Sequence, residues 1–386
     1  MTGIPTSSRM DVTRVALLSL GHMVVDLYPS FLAALLPLLI ERLRMSLTLA
    51  SLLGSILMVS ASLSQPLFGV LSDRIGGRLL LFLGPMTAAV GMTFIGLLPT
   101  YSVLVPFLII GGLGSACYHP QAVSLAGHFS GSRKGLGVSL FMLGGNAGYG
   151  LGPLLILAIV LGLGLEKSYI GILPAIIFLL ALFRYFPKSK LPGTVTQVER
   201  LTLKSLRLGD FVPLFLLWLI VWLRSTAILA LTTFLPTLQT MRGFSLAVGG
   251  TSFTVFMVFG ALGDLVGGGL SDRIGRKKVV LLSFLLVIPT FYCFLNVLMH
   301  SPYPLLALLG FFFFLGESPC IVMAQETVPG RRGTTSSLIV GFAWGMASLA
   351  LLGIGALADA FGMEQAMNLL LYLPAVALVL AFFLRK

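Results

Sequence analysis

The chain has 386 residues, of which 57 % are hydrophobic and only 10 % charged, with a mean hydropathy of +1.02. No water-soluble globule of this length carries such a balance, so the solvent of this protein is lipid. A net charge of +12 would point to nucleic acid in a soluble chain, but here the placement of the charges has to be read before their sum.

Runs of roughly 20 apolar residues, long enough to cross a hydrocarbon core, are predicted near 14–40, 47–71, 79–98, 101–128, 136–160 and 168–186. They resume near 210–236, 247–270, 279–299, 303–326, 335–358 and 364–384. The first run reaches full membrane length with no small-residue cleavage site after a short apolar core, so it is expected to be retained as a helix. The break carries Pro187, Pro192 and Gly193 in a long polar run. It reads as a linker over 187–209 between a half at 1–186 and a half at 210–386.

With the N-terminus inside, Arg42, Arg44, Lys167 and Arg242 fall on outer loops and Arg224 within a span. The rest of the 25 Lys and Arg fall on inner loops and ends. That asymmetry predicts cytoplasmic termini and explains the basic balance without nucleic acid. Cys117, Cys293 and Cys320 all lie in apolar runs, where they read as packing residues.

The chain also repeats itself. Gly69-Val70-Leu71-Ser72-Asp73-Arg74-Ile75-Gly76-Gly77-Arg78 returns as Gly268-Gly269-Leu270-Ser271-Asp272-Arg273-Ile274-Gly275-Arg276-Lys277, with Asp73 and Asp272 199 positions apart. Ser132-Arg133-Lys134-Gly135 is matched by Gly330-Arg331-Arg332-Gly333 at a similar offset. Each copy of the first motif reads as a tight, charged loop between spans, and Gly69, Asp73, Arg74, Gly76, Asp272, Arg273, Gly275 and Arg276 are the expected hinge residues. A duplication of this kind implies two parallel six-helix halves with a site between them.

Polar residues inside apolar runs need a reason, because a charged group at the bilayer centre costs about 2.5–3.5 kcal/mol or more unless it meets water or a partner. His22 and Asp26 stand four apart on one face of the first span. Tyr118, His119 and Gln121 lie in the fourth, Asn146 in the fifth, Arg224 in the seventh, and Glu317, Gln325 and Glu326 in the tenth. Asp26, Glu317 and His119 are the expected proton-carrying groups. Arg224, His22, Tyr118, Gln121, Asn146, Gln325 and Glu326 are the expected substrate contacts, with Arg224 receiving an anion that displaces a carboxylate from it. A buried ion-pair network that only holds one conformation is the alternative. Asp264, in a Gly-rich stretch of the eighth span, is open to three readings: it faces the cytoplasmic mouth, couples the hinge to the helix, or does no more than meet a backbone donor, the last being favoured.

Gly144, Gly148 and Gly152, followed by Pro153, place a small residue at every fourth position of the fifth span, a stripe on which another helix can lie closely. Gly260, Gly263 and Gly267 do the same in the eighth. Pro120 and Pro319 sit beside His119 and Glu317 and are expected to open backbone near a cavity. Spacing supports no phosphate loop, no metal-ligand set and no nucleophile–base arrangement, so no metal or cofactor is expected and energy must come from a gradient.

The duplicated hinge resembles the signature of the major facilitator superfamily, with Gly77 departing where a basic residue is usual. The resemblance implies an all-α membrane protein of twelve transmembrane helices in two pseudo-symmetric six-helix bundles, whose first, fourth, seventh and tenth helices line a central cavity. Gly148-x-x-x-Gly152-Pro153 is similar to the fifth-helix motif of antiporters in that superfamily. Gly21-His22-Met23-Val24-Val25-Asp26, Gly114 through Pro120, Gly144-Gly145-Asn146 and Ala324-Gln325-Glu326 with Pro329-Gly330-Arg331 resemble its fosmidomycin-resistance branch. Gln121 departs from the Glu common there, which leaves proton carriage to Asp26, Glu317 or His119.

That resemblance implies a monomeric, proton-coupled exporter of the bacterial inner membrane that takes small, including anionic, organic molecules and works by alternating access. A symporter or uniporter, a lipid translocase of the same fold, and a sensor that binds without transport are the other readings.

Overall fold

A computed structural model describes residues 9–75, 77–131, 133–186, 208–297, 300–327 and 337–384. Among these residues the structure is helical and without strands. The spanning helices are α1 Val12–Leu43, α2 Leu47–Ser72, α3 Gly77–Thr93, α4 Tyr101–Phe129, α5 Leu136–Leu163 and α6 Leu165–Tyr185. They continue as α7 Phe211–Met241, α8 Leu246–Ile274, α9 Arg276–Asn296, α10 Tyr303–Thr327, α11 Ala343–Phe361 and α12 Met363–Ala381. All but α3 have both the length and the apolar composition to cross a membrane; α3 is apolar but shorter. Helices suit this solvent because they satisfy every interior N–H and C=O within the segment.

The chain forms two compact units, one of residues 1–35 with 56–197 and one of 36–55 with 198–386. The end of α1 and the start of α2 therefore belong to the second unit. In the first unit, glycines set the closest approaches. A Cβ on Gly91 would strike the backbone of Gly111, and one on Gly114 the backbone of Ala88, so α3 and α4 lie backbone to backbone. The α5 stripe lies on α1: side chains at Gly144, Gly148 and Gly152 would collide with the carbonyl oxygens of Ser19, Met23 and Leu27. Two hydroxyls lock this packing, with Tyr118 donating to Leu18 O (2.8 Å) and Tyr28 accepting from Ala175 N–H (3.0 Å).

In the second unit, Gly260, Gly263 and Gly267 of α8 lie against Phe314, Phe311 O and Leu315 O of α10, and Gly310 returns the contact toward Phe256 O. A core of Leu217, Ile220, Val221, Phe284, Ala343 and Ala377 joins α7, α9, α11 and α12. At one end of the unit, Arg242 forks onto Glu364 (2.7 Å to each oxygen) and reaches the carbonyls of Phe294 and Leu295.

The hinge differs from the loop that its glycines and charges suggest. Nothing in Leu270-Ser271-Asp272-Arg273-Ile274 breaks a helix, so α8 runs on through Ile274 and the reversal is confined to Gly275. Gly275 takes φ +97°, a conformation that residues with a side chain rarely adopt. Asp272 and Arg273 are thus exposed residues of a last helical turn. In the first copy helix also continues to Ile75, while Gly76 and the side chain of Asp73 lie outside the described residues. So do 187–207 of the expected linker, Ser132, and the repeat at 330–333.

Candidate functional site

In the first unit, three polar side chains from two helices converge. His22 and Asp26 share a face of α1, and the packing of α4 on α1 adds His119. Asp26 Oδ2 lies 3.0 Å from His22 Nε2, Asp26 Oδ1 lies 3.0 Å from His119 Nε2, and the two Nε2 atoms are themselves 3.0 Å apart. The rings meet edge to face.

Each imidazole is fixed from behind. His22 Nδ1 donates to Phe141 O and His119 Nδ1 to Ser115 O, both at 2.7 Å. A carbonyl only accepts, so each Nδ1 carries a hydrogen, and each Nε2 is the ring nitrogen that faces Asp26. His22 is further stacked on the Phe141 ring, 4.1 Å between centroids. Gly145 of α5 covers the cluster: a Cβ there would strike the His22 ring and come within 2.8 Å of Asp26 Oδ2. Neither Phe141 nor Gly145 was legible as part of the site, because their contacts run from α5 to α1 and have no sequence spacing.

Among the described residues, the same three are the set that geometry alone would allow to hold a cation, one ligand atom from each lying within 4.8 Å of the others. Sequence spacing gave no closed metal-ligand set because His119 reaches the pair only through the fold.

The second unit holds the other convergence. Arg224 of α7 is 2 % exposed, and its Nη2 stands 3.6 Å from Oε1 of Glu317 on α10, too long for a hydrogen bond. Arg224 Nε and Nη1 and Glu317 Oε2 are buried without hydrogen-bond partners among the described residues. Glu317 starts the second half of α10, because the helix breaks at Gly316. Asp264 of α8 caps that half, accepting from Ser318 N–H (3.0 Å) and Ser318 Oγ (2.6 Å) through Oδ1. Pro319 falls in the first turn of the half-helix, where proline is tolerated, whereas Pro120 lies inside an unbroken α4.

The remaining residues are placed elsewhere. Gln121 is buried against Gly77, its amide donating to Cys117 O, and does not join the histidines. Tyr118 is fully buried, with its hydroxyl spent on Leu18 O. Asn146 is exposed and Gln325 partly buried. Glu326 is exposed and pairs with the hinge residue Arg276 at 2.9 Å.

Comparison with known proteins agrees with this architecture. A family model described as Major Facilitator Superfamily matches residues 18–350. The fosmidomycin resistance protein of Escherichia coli is 27 % identical, with 98 % of this chain and 94 % of that protein covered. An uncharacterized MFS-type transporter of Bacillus subtilis is also 27 % identical, over 95 % and 91 %. Among solved structures, an inward-facing bacterial homologue of the human lysosomal transporter Spinster superposes with a TM-score of 0.80 at 14 % identity, covering 96 % of each chain. The chain is a multi-pass membrane transporter, not an enzyme, and belongs to the major facilitator superfamily.

Proposed function

We propose that this transporter exports small organic anions across the bacterial inner membrane in exchange for protons, by alternating access. The observation that carries this reading is the Arg224–Glu317 pair, a buried guanidinium facing a carboxylate without a hydrogen bond to it, with Nε and Nη1 lacking a hydrogen-bond partner among the described residues. Arginine keeps its charge at membrane depth, and its planar fork suits a carboxylate or similar anion better than a single loose contact at 3.6 Å. Likeness to the fosmidomycin resistance protein supports export and makes fosmidomycin a first substrate to try.

The same pair favours a second reading, co-transport. An anion that takes Arg224 leaves Glu317 needing a new counter-charge, and a proton supplies it, so anion and proton are then carried together. Exchange instead requires that the proton cross on the substrate-free leg of the cycle.

Proteoliposomes loaded with the anion and a pH dye separate the readings. Efflux by exchange acidifies the lumen, while co-transport makes it alkaline. Anion efflux with no pH change rejects proton linkage, and affinity unchanged in Arg224→Lys rejects the anion contact.

A further inference from the structure

We propose that His22, His119 and Asp26 form a binding site for a borderline divalent transition-metal cation of the Zn²⁺, Co²⁺ or Ni²⁺ kind. Both Nδ1 atoms spend their hydrogens on carbonyls, so with neutral rings the two Nε2 atoms and the Asp26 carboxylate are three electron-pair donors, each Nε2 3.0 Å from the other and from a carboxylate oxygen. Three such donors repel unless a cation stands among them, and a metal ion and protons on the rings compete for that place.

The spacing fits a metal ion. Ligands bound at about 2.1 Å lie about 3.0 Å apart on an octahedral face and about 3.4 Å apart on a tetrahedron. The two Nε2 atoms, 3.0 Å apart, match the spacing of neighbouring octahedral ligands, and each stands 3.0 Å from one oxygen of Asp26. Asp26 offers a different oxygen to each imidazole, and one ligand atom from each of the three residues lies within 4.8 Å of the others. Two histidines and one carboxylate on one face leave the opposite positions open to water or to an anion.

The surroundings are those of a metal site as well. Metal-bound histidines donate their other ring N–H to a carbonyl or carboxylate, which fixes the tautomer and the ring; Phe141 O and Ser115 O do this for both rings here. His22 is the buried wall of the cluster, at 4 % side-chain exposure. His119 at 19 % and Asp26 at 22 % provide the side from which an ion enters. Imidazole nitrogens select against Mg²⁺ and Ca²⁺, which prefer oxygen-only shells.

The test uses the full chain in detergent, free of any histidine tag and without transport substrate, so its outcome is independent of the anion-transport reading. Co²⁺ is titrated while visible absorption is recorded, since nitrogen and oxygen ligation gives the ion coloured bands. The wild type is expected to bind one Co²⁺ that Zn²⁺ displaces and Mg²⁺ does not. His119→Ala and Asp26→Asn are expected to weaken binding at least about tenfold, while His128→Ala, outside the cluster, leaves it unchanged. Thermal unfolding of each variant confirms that it is folded, and His119→Gln, at the more exposed histidine, replaces any variant that is not. Absence of Co²⁺ bands in the folded wild type overturns the proposal, as does equal affinity in the folded His119 variant; a cluster filled by protons alone gives the first of these results.

Discussion

Asp264 of α8 accepts both the backbone N–H and the hydroxyl of Ser318, so the break in α10 at Gly316 is held by a side chain from a neighbouring helix. The freed donors of a helix start are costly at membrane depth, and one carboxylate oxygen meets one of them together with the Ser318 hydroxyl. Asp264 is partly buried, so Asp264→Ala is expected to cost about 1–2 kcal/mol and Ser318→Ala about 1 kcal/mol. Because the two share a bond, the double variant should cost less than the sum, which thermal unfolding of all four proteins measures.

A side chain at Gly145 has nowhere to go. Gly145→Ala drives a methyl into the His22 ring, and overpacking of this kind costs about 1–3 kcal/mol. Gly162, on the same helix, has open space around its Cβ position, so Gly162→Ala should be neutral or stabilising by up to about 1 kcal/mol. Similar melting temperatures for the two variants would refute the account of α5 as a lid over the cluster.

How much of this was legible in the sequence follows from what reports locally. Hydrocarbon thickness imposes its own length on a span, so the apolar runs correspond to α1 through α12, with α3 shorter than a full span and α11 starting later than its run. His22 and Asp26 could be paired because helical periodicity is local. His119 joined them only through the packing of α4 on α1, and the break at Gly316 was hidden because its capping group, Asp264, lies on another helix. The hinge misled because a glycine-bearing charged motif resembles a loop, although a single residue, Gly275, makes the turn.

Removing one member of the Arg224–Glu317 pair leaves the other as an uncompensated buried charge. Arg224→Ala is therefore expected to cost about 3–5 kcal/mol, and the Arg224→Ala, Glu317→Ala double variant much less than the sum of the singles. Denaturation of the purified variants checks this. Additive costs would show that the two side chains are energetically independent despite their 3.6 Å separation.

Asp359 of α11 accepts from Leu47 N–H and Thr48 N–H, each at 2.8 Å, and from the Thr48 hydroxyl at 2.5 Å. It caps the start of α2 from outside that helix, and a lost cap costs about 1 kcal/mol. Asp359→Ala should lower the melting temperature, and Asp359→Asn, which keeps one oxygen acceptor, should fall between it and the wild type. An unchanged melting temperature in both would show that this exposed cap contributes nothing to stability.

The glycine stripes of α5 and α8 divide the chain into positions that an engineer can and cannot use. Replacing helical glycine with alanine is a common route to a sturdier membrane protein, since it removes backbone freedom from the unfolded chain. At Gly148, Gly152, Gly263 and Gly267 the new methyl meets a carbonyl of the facing helix, so a library built there selects for broken packing. At Gly269 and Gly353 it meets nothing. Those two sites, like Gly162, are where stabilisation can be sought without disturbing either helix pair.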